Sequence, residues 1–525
     1  MIGRNKALQE SRKVNTLRNL VYAWTSQGFT IVMNMVVRVI FVRVLSKDYV
    51  GITGLFSNII TILSLAELGV GSAIVYGLYD PLAKNEQRKV KALMQFYQRI
   101  YIFIGCFILL VGIALTPYLS WFVKEMPAIQ EISYIYILFI CNAAASYFFS
   151  YKGTLISADQ KDYVLKKIRV KVLFLMYMAQ IVILLAIRNY IMYLLVQVIA
   201  TVTMNIGFSR AADRMYPYLK EKEKIALDKG QLQQIVKNTK ALLCHKIGGV
   251  LVFSTDNLVI SKFTGLGNVA NYSNYILIQE TLNGILQQLF SAMAPSVGNL
   301  VAVERGEKSQ EVFWKIMFLD FWLYGGSALC FLCLAQDFIQ LLFGRDYLVS
   351  TDILLIIIVN FYLSGTRKSV MVFKDAYGLF YQNWYMPLLE SGINLLVSVW
   401  LVYKIGLIGV LLGTTISSLL VPVWSEPYVL FRYGFHQPVI SYWVKYGKYF
   451  ALVMVTGLIT WKICLWIPFI PVFSFVLKGI CSVVVINVMF YVALRKDKNI
   501  EYCTELLKTF HKKILSNLEG RRNNN

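Results

Sequence analysis

ALLCHKIGGVLVFSTDNLVISKF, residues 241–263, is an apolar stretch of membrane length that carries His245, Lys246 and Asp256 inside it. An apolar run of about 20 residues crosses a bilayer as one helix. A charged group at the centre of such a helix costs about 2.5 to 3.5 kcal/mol on insertion scales, so Asp256 is expected to face protein or a wet cavity. The competing reading is a buried structural pair or a charge at the membrane interface. The stretch also opens a second half of the chain that echoes the first.

Outward from it, the whole chain reads the same way. Hydrophobic residues make up 57% of the 525 residues and charged residues 15%, with a mean hydropathy of +0.57. A soluble globular chain carries about 25% charged residues, so the class is an integral membrane protein, all-α. Apolar runs predict about 14 transmembrane helices. They begin near Leu20, Val50, Met94, Ile132, Val172, Ile191, Ala241, Tyr272, Val312, Ile353, Met386, Ile408, Tyr446 and Val472. The fifth and sixth look short, and the eighth is rich in amides.

Of the 52 Lys and Arg, about 40 fall in or beside the termini and the even-numbered gaps, and about 8 in the alternate loops. Arg38, Arg99, Lys246 and Lys478 lie within spans. The bias predicts a multi-pass chain with both termini and the even-numbered gaps cytoplasmic. The net charge of +23 then reflects topology and attraction to anionic membrane lipid. Bases dispersed over many short loops argue against a nucleic-acid partner. The basic start, Arg4 to Arg18, runs into a span too long for a cleaved leader, so the first helix is expected to stay as an anchor. Of the cysteines, Cys330 and Cys333 share one helical face and read as small packing residues before they read as a redox pair.

Polar residues recur at helical spacing inside the spans. Gln27, Thr30, Asn34 and Arg38 form a stripe on the first, and Ser57, Thr61, Ser64 and Glu67 on the second. Glu280, Asn283, Gln287 and Ser291 do so on the eighth. Asp320, Glu390 with Asn394, and Glu426 add acids at membrane depth in the ninth, eleventh and twelfth. Stripes on the first two and on the seventh and eighth spans predict a hydrated cavity between two halves. Pro295, Pro387 and Pro422 are candidate kinks.

Loop matches at a shared offset of about 220 residues, such as Gln160–Tyr163 with Gln382–Tyr385, join spans one to six with seven to twelve as a parallel repeat. The expected organisation is an N-lobe over 1–209, a cytoplasmic connector over 210–240, a C-lobe over 241–433, an extra helix pair over 434–494 and an amphipathic tail over 495–525. The Lys220–Lys224 charge run of the connector reads as a solvated helix or linker.

No phosphate-cradling glycine loop, nucleophile elbow or metal-spaced His/Cys set is present, so no catalytic residue, metal or cofactor is expected. The sequence does carry a family likeness. HKIGGVLVFSTDNLVISKFTG (His245 to Gly265) with Tyr272, Ser273, Asn274 and Tyr275 resembles the bacterial polysaccharide-repeat-unit flippases of the multidrug/oligosaccharidyl-lipid/polysaccharide exporter superfamily. So do SKDYVGITGLFSNIITILSLAELGVGSAI (Ser46 to Ile74), ISADQKDY (Ile156 to Tyr163), KDAYGLFYQNWY (Lys374 to Tyr385) and GLIGVLLGTTISSLL (Gly406 to Leu420). The resemblance implies two six-helix bundles in a V around a central cavity, plus an extra helix pair. It also implies export of undecaprenyl-pyrophosphate-linked oligosaccharide to the outer leaflet by alternating access.

The residues read independently suit that substrate. An anionic pyrophosphate and hydroxyl-rich sugars call for bases and amides, so the expected cavity set is Arg38, Asn34, Gln27, Glu67, Lys246, Asp256, Asn274, Glu280 and Gln287. Asp256, Glu280 and Glu67 are candidates for a coupling H⁺ or Na⁺, or equally neutralise buried bases. The expected partners are the polyprenyl-pyrophosphate oligosaccharide and membrane lipids, for a monomer that can associate with polysaccharide-assembly proteins. Two rivals stand beside this reading. A multidrug antiporter of the same superfamily wants an acidic or aromatic cavity, and a polytopic glycosyltransferase wants acids on a substantial outer loop.

Overall fold

Hydrocarbon offers backbone amides no water, so a chain that crosses it must satisfy them within helices or a closed barrel. This chain uses helices: among the described residues every regular element is helical. The computed structural model describes residues 25–500 except 68–76, 79–80, 83, 126, 128, 130, 160, 222, 224, 226–253, 304–305, 380 and 469. The first part of the 241–263 stretch, with His245 and Lys246, lies outside the described residues, as do most of the 210–240 connector and the tail beyond 500.

The helices are α1 (Thr25–Val44), α2 (Lys47–Leu63), α3 (Gln87–Leu115), α4 (Ile132–Ala158), α5 (Asp162–Val182) and α6 (Tyr190–Met215). They continue with α7 (254–264), α8 (Leu266–Val303), α9 (Glu307–Leu342), α10 (Thr351–Gly365) and α11 (Lys368–Ala376). The last are α12 (Met386–Ile405), α13 (Leu407–Leu420), α14 (Pro422–Val429), α15 (Ile440–Leu465) and α16 (Pro471–Leu494). Ten helices among the described residues are long and apolar enough to cross a membrane, or 11 if the bent pair Ile132–Phe148 and Tyr151–Ala158 is one span. The chain is a multi-pass membrane protein. The remaining expected spans coincide with α2, α7 and the amide-rich α8.

The fifth and sixth spans are not short: Asp162–Ile187 and Tyr190–Met215 each run 26 residues. A π-helical turn, Ile183–Ile187, extends α5 to Arg188, which takes a left-handed φ of 57°. Asn189 then starts α6, its side-chain oxygen accepting from the Met192 amide at 3.0 Å. A capping side chain of this kind satisfies one of the orphan donors of a helix start.

Two compact units divide the chain, residues 1–270 and 271–525. In the first, α4 packs along α3 and α6, with α2 against α4 and α5 against α6. α7, with Asp256, belongs to this unit, and the Lys124 amide donates to the Ser261 carbonyl at 3.1 Å. The connector is not wholly solvated: Glu221 reaches the buried Lys91 of α3 at 3.1 Å, and Glu223 reaches Arg88 at 3.2 Å. In the second unit α9 is the hub, touching α10, α11, α15 and α16. Its apolar window is 61% buried, whereas that of α16 is 17% buried, so α9 is a core helix and α16 a peripheral one.

Helices in lipid gain nothing from burying apolar surface against each other, and close approach of small residues with polar glue holds them together. The α12–α13 pair shows both. Asn394 donates to Thr414 at 2.9 Å, Ser398 donates to the Val410 carbonyl at 3.1 Å, and Asn360 of α10 donates to the Leu411 carbonyl at 3.0 Å. A methyl group on Gly413 would overlap the Ser398 hydroxyl and sit 2.8 Å from its amide nitrogen. Gly413→Ala is therefore expected to cost about 1–3 kcal/mol by forcing the helices apart. Gly392→Ala, where a methyl meets nothing within 4 Å, is the control and should be neutral or slightly stabilising. Thermal melting of the two variants in detergent checks this, and equal melting temperatures would refute the close-contact account.

Candidate functional site

In the first unit the polar stripe of α1 is open. Gln27 and Asn34 are exposed and Arg38 is half-buried. A Tyr177 hydroxyl from α5 donates to the Asn34 side-chain oxygen at 2.8 Å. Arg38 lies within electrostatic range of Tyr190 and Tyr193 of α6, with its guanidinium carbon 6.0 Å from the centre of the Phe41 ring. Tyr190 is itself fixed by a 2.6 Å hydrogen bond with Thr53 of α2 and an edge contact to Phe41 at 5.2 Å. The result is a basic group and an amide framed by tyrosines from two other helices.

Glu67 belongs to a different cluster. Its carboxylate accepts from the hydroxyl of Tyr101 and, at 3.1 Å, from that of Tyr147. Tyr97 packs on Tyr101 with ring centres 4.1 Å apart. Asp256 is buried in α7, as are Ser254, Asn257 and Ser261 around it.

In the second unit Asn274 is fully buried, while Glu280 and Gln287 lie on the exposed face of α8. Gln287 donates to Ser291 one turn on, at 3.4 Å. The expected set is thus split. The structure gathers Asn34 and Arg38, places Glu67 in a tyrosine cluster, and puts Asp256 and Asn274 in packed interiors. Lys246 lies outside the described residues.

A charged cluster of the second unit is centred on bases that span counting misses. The tenth span breaks at Thr366–Arg367 between α10 and α11, and the twelfth at Val421 between α13 and α14. Arg367 bridges these breaks with two hydrogen bonds to Glu426, both 2.9 Å, and the buried Lys374 approaches the same carboxylate at 3.6 Å. Asp320 of α9, 1% exposed, accepts from the Ser369 amide at 2.8 Å, satisfying a donor at the start of α11. Glu390 accepts from Ser418 at 3.3 Å. Half-buried Lys368 lies in electrostatic range of Asp320, Glu426 and Glu280, but among the described residues no carboxylate sits at ion-pair distance from it.

Asp320, Glu390 and Glu426 are visible in the sequence as acids at membrane depth. Arg367, Lys368 and Lys374 read there as loop bases, yet Thr351–Ala376 is one membrane-length element. The missed signal is the set of in-span acids itself, which demands bases nearby. Lys478, by contrast, is visible as an in-span base, and it pairs with Asp337 at 2.7 Å. Among the described residues the arrangement offers hydrogen-bond donors and cations to a polar anion, with no nucleophile beside an attendant base.

The polysaccharide biosynthesis protein family matches residues 16–301. No curated protein matches the chain in sequence. Among solved structures, the lipid II flippase MurJ in an inward closed conformation aligns at TM-score 0.62 and 12% identity, over 91% of this chain and 99% of that one. An inward-facing multidrug resistance MATE family transporter of the MOP superfamily aligns at TM-score 0.61 and 13% identity, over 77% and 94%. A mutant of the Vibrio cholerae MATE transporter VcmN aligns at 0.57 and 12%, over 80% and 97%. At these identities the likeness is one of fold.

Removing one member of a buried ion pair strands the other, at a cost of about 3–5 kcal/mol. Arg367→Ala is expected to show this loss, reduced when Glu426→Gln is added. Lys368→Ala, with no pair to break, should melt within a few degrees of the parent chain. A double-mutant cycle by thermal melting in detergent reads the Arg367–Glu426 coupling, and purely additive losses would show that the pair contributes none.

Proposed function

This chain belongs to the polysaccharide biosynthesis protein family, and from that premise we propose that it is a flippase. It carries polyprenyl-pyrophosphate-linked oligosaccharide from the cytoplasmic to the outer leaflet by alternating access, without covalent chemistry. The observation that carries the reading is the open face of α1, where Asn34 and Arg38 stand among Tyr177, Tyr190 and Tyr193. A guanidinium matches phosphate geometry with paired donors, and amides and phenols suit sugar hydroxyls. The fold shared with a lipid II flippase supports the same class.

The aromatic rings around Arg38 favour a second reading, export of a small lipophilic molecule, in keeping with the MATE likeness. A glycosyltransferase has less support, since nothing in the described site resembles a nucleophile or donor-metal set. H⁺ or Na⁺ coupling through Asp256, Glu280 or Glu67 belongs to the proposal as an option that gradient experiments decide.

The test is a proteoliposome assay that follows lipid-linked oligosaccharide across the bilayer with and without ion gradients. Arg38→Ala should cut translocation by about tenfold or more, the loss of a charge-assisted contact to phosphate, with the protein still folded. Arg38→Lys should keep part of the activity. Lys368→Ala should lower translocation without altering stability. Full activity of Arg38→Ala removes this residue from the site. Transport of a lipophilic cation in place of the lipid-linked sugar would move the assignment to the second reading.

A further inference from the structure

The twelfth span, Leu407–Phe435, ends in a feature that the flippase reading does not use. Its last turn is π-helical over Leu430–Phe435, and His436 leaves it in a left-handed conformation with φ of 55°. The Gln437 amide closes the turn on the Phe431 carbonyl at 2.9 Å. Beside this turn lies a cavity of about 570 Å³ lined by Tyr428, Arg432, Tyr433, His436 and Gln437.

Arg432 is held in place by rings and not by a counterion. Its guanidinium carbon sits 5.8 Å from the Tyr428 ring centre and 5.9 Å from that of Tyr433. Among the described residues no carboxylate pairs with it. Rings at this distance orient a guanidinium through the π-cloud and leave its N–H donors available.

An exposed row of side chains leads from this turn back along the span, across the break at Val421. Leu420, Trp424 and Tyr428 follow one another at intervals of four residues, 55%, 45% and 39% exposed, and Arg432 is next in the series. The break at Val421 interrupts the helix between Leu420 and Trp424, but the Trp424 indole N–H donates to the Leu420 carbonyl across it and the Arg432 guanidinium lies beside the Tyr428 ring, so the side chains still follow one another. The stripe therefore runs from aliphatic, through aromatic, to cationic, the order in which a phospholipid presents acyl chain, glycerol region and phosphate.

We propose that this face is a binding site for one anionic phospholipid. Arg432 takes the phosphate, His436 and Gln437 face the headgroup, and an acyl chain lies along Leu420, Trp424 and Tyr428. Since the charge bias of the sequence marks this loop as cytoplasmic, the lipid is drawn from that leaflet. The assignment does not depend on what the protein transports.

The test is native mass spectrometry of the full chain released from nanodiscs containing phosphatidylglycerol and phosphatidylcholine. The parent chain should retain one more phosphatidylglycerol than Arg432→Gln, whose affinity should fall by about five- to tenfold, the worth of one interfacial charge with its hydrogen bonds. Arg432→Lys should retain part of it. Tyr428→Leu with Tyr433→Leu removes the rings and should weaken retention too, which keeps the test open if Arg432→Gln does not fold. The proposal is overturned by equal retention in parent and variants, or by phosphatidylcholine held as firmly as phosphatidylglycerol. It is also overturned if inorganic phosphate or an acidic peptide displaces the lipid at similar concentration, which would make the turn a free-anion or protein-binding site.

Discussion

A charge placed in hydrocarbon must find its counterion within the protein, and the bidentate contact between Arg367 and Glu426 is how the second unit meets that demand. Two helices are broken at membrane depth, and each break frees backbone groups that the lipid cannot satisfy. Arg367 stands at one break and Glu426 just beyond the other, so the ion pair joins the two interruptions. Asp320 completes the arrangement by capping the Ser369 amide where α11 begins. Around this core Phe313, Phe373, Phe431 and Tyr442 pack ring against ring. A well-packed apolar replacement could be equally stable, so the pair is better understood as fixing where two discontinuous helices meet.

How far the sequence discloses this depends on the kind of signal. Span positions are legible because about 20 apolar residues in a row have few alternatives. The acids Asp320, Glu390 and Glu426 are legible because an acid inside such a run must be paired, face a wet cavity or reach the interface. Arg367, Lys368 and Lys374 are not, since a base after an apolar run looks like the start of a cytoplasmic loop. Only the packing of α11 against α9 and α14 reveals that the helix turns back into protein. The same ambiguity hides the docking of Glu221 on Lys91, because a run of alternating charges reads as solvated until a buried lysine is found opposite. The length of α5 is concealed for another reason: the helix begins at Asp162, and Lys166, Lys167, Arg169 and Lys171 in its first turns read as loop residues although they are helical.

The first unit has ion pairs too, such as Lys152–Asp213 at 2.6 Å, but two of its polar groups are held by a different device. Around Glu67 and around Asn34 the partners are tyrosines, neutral donors that can be buried without adding a charge. A phenol brings apolar bulk and one hydroxyl, so it can both pack and donate. Such partners release an anion or an amide at less cost than a bound base would, because no uncompensated charge is left behind. Polar groups set among phenols can therefore exchange partners with a passing ligand, whereas the Arg367–Glu426 pair cannot.

Arg367 and Lys368 show this division between neighbours in sequence. The arginine commits both arms of its fork to one carboxylate, and a guanidinium so engaged has little left for a substrate anion. The lysine feels the field of Asp320, Glu426 and Glu280 without touching any of them, and its ammonium keeps its donors. The helix break between Gly365 and Lys368 makes the difference possible. In a continuous helix the two side chains would be set about 100° apart on one cylinder, and the turn frees their directions from that constraint. One base can then hold the fold together while the next keeps its donors free of any carboxylate at ion-pair distance among the described residues.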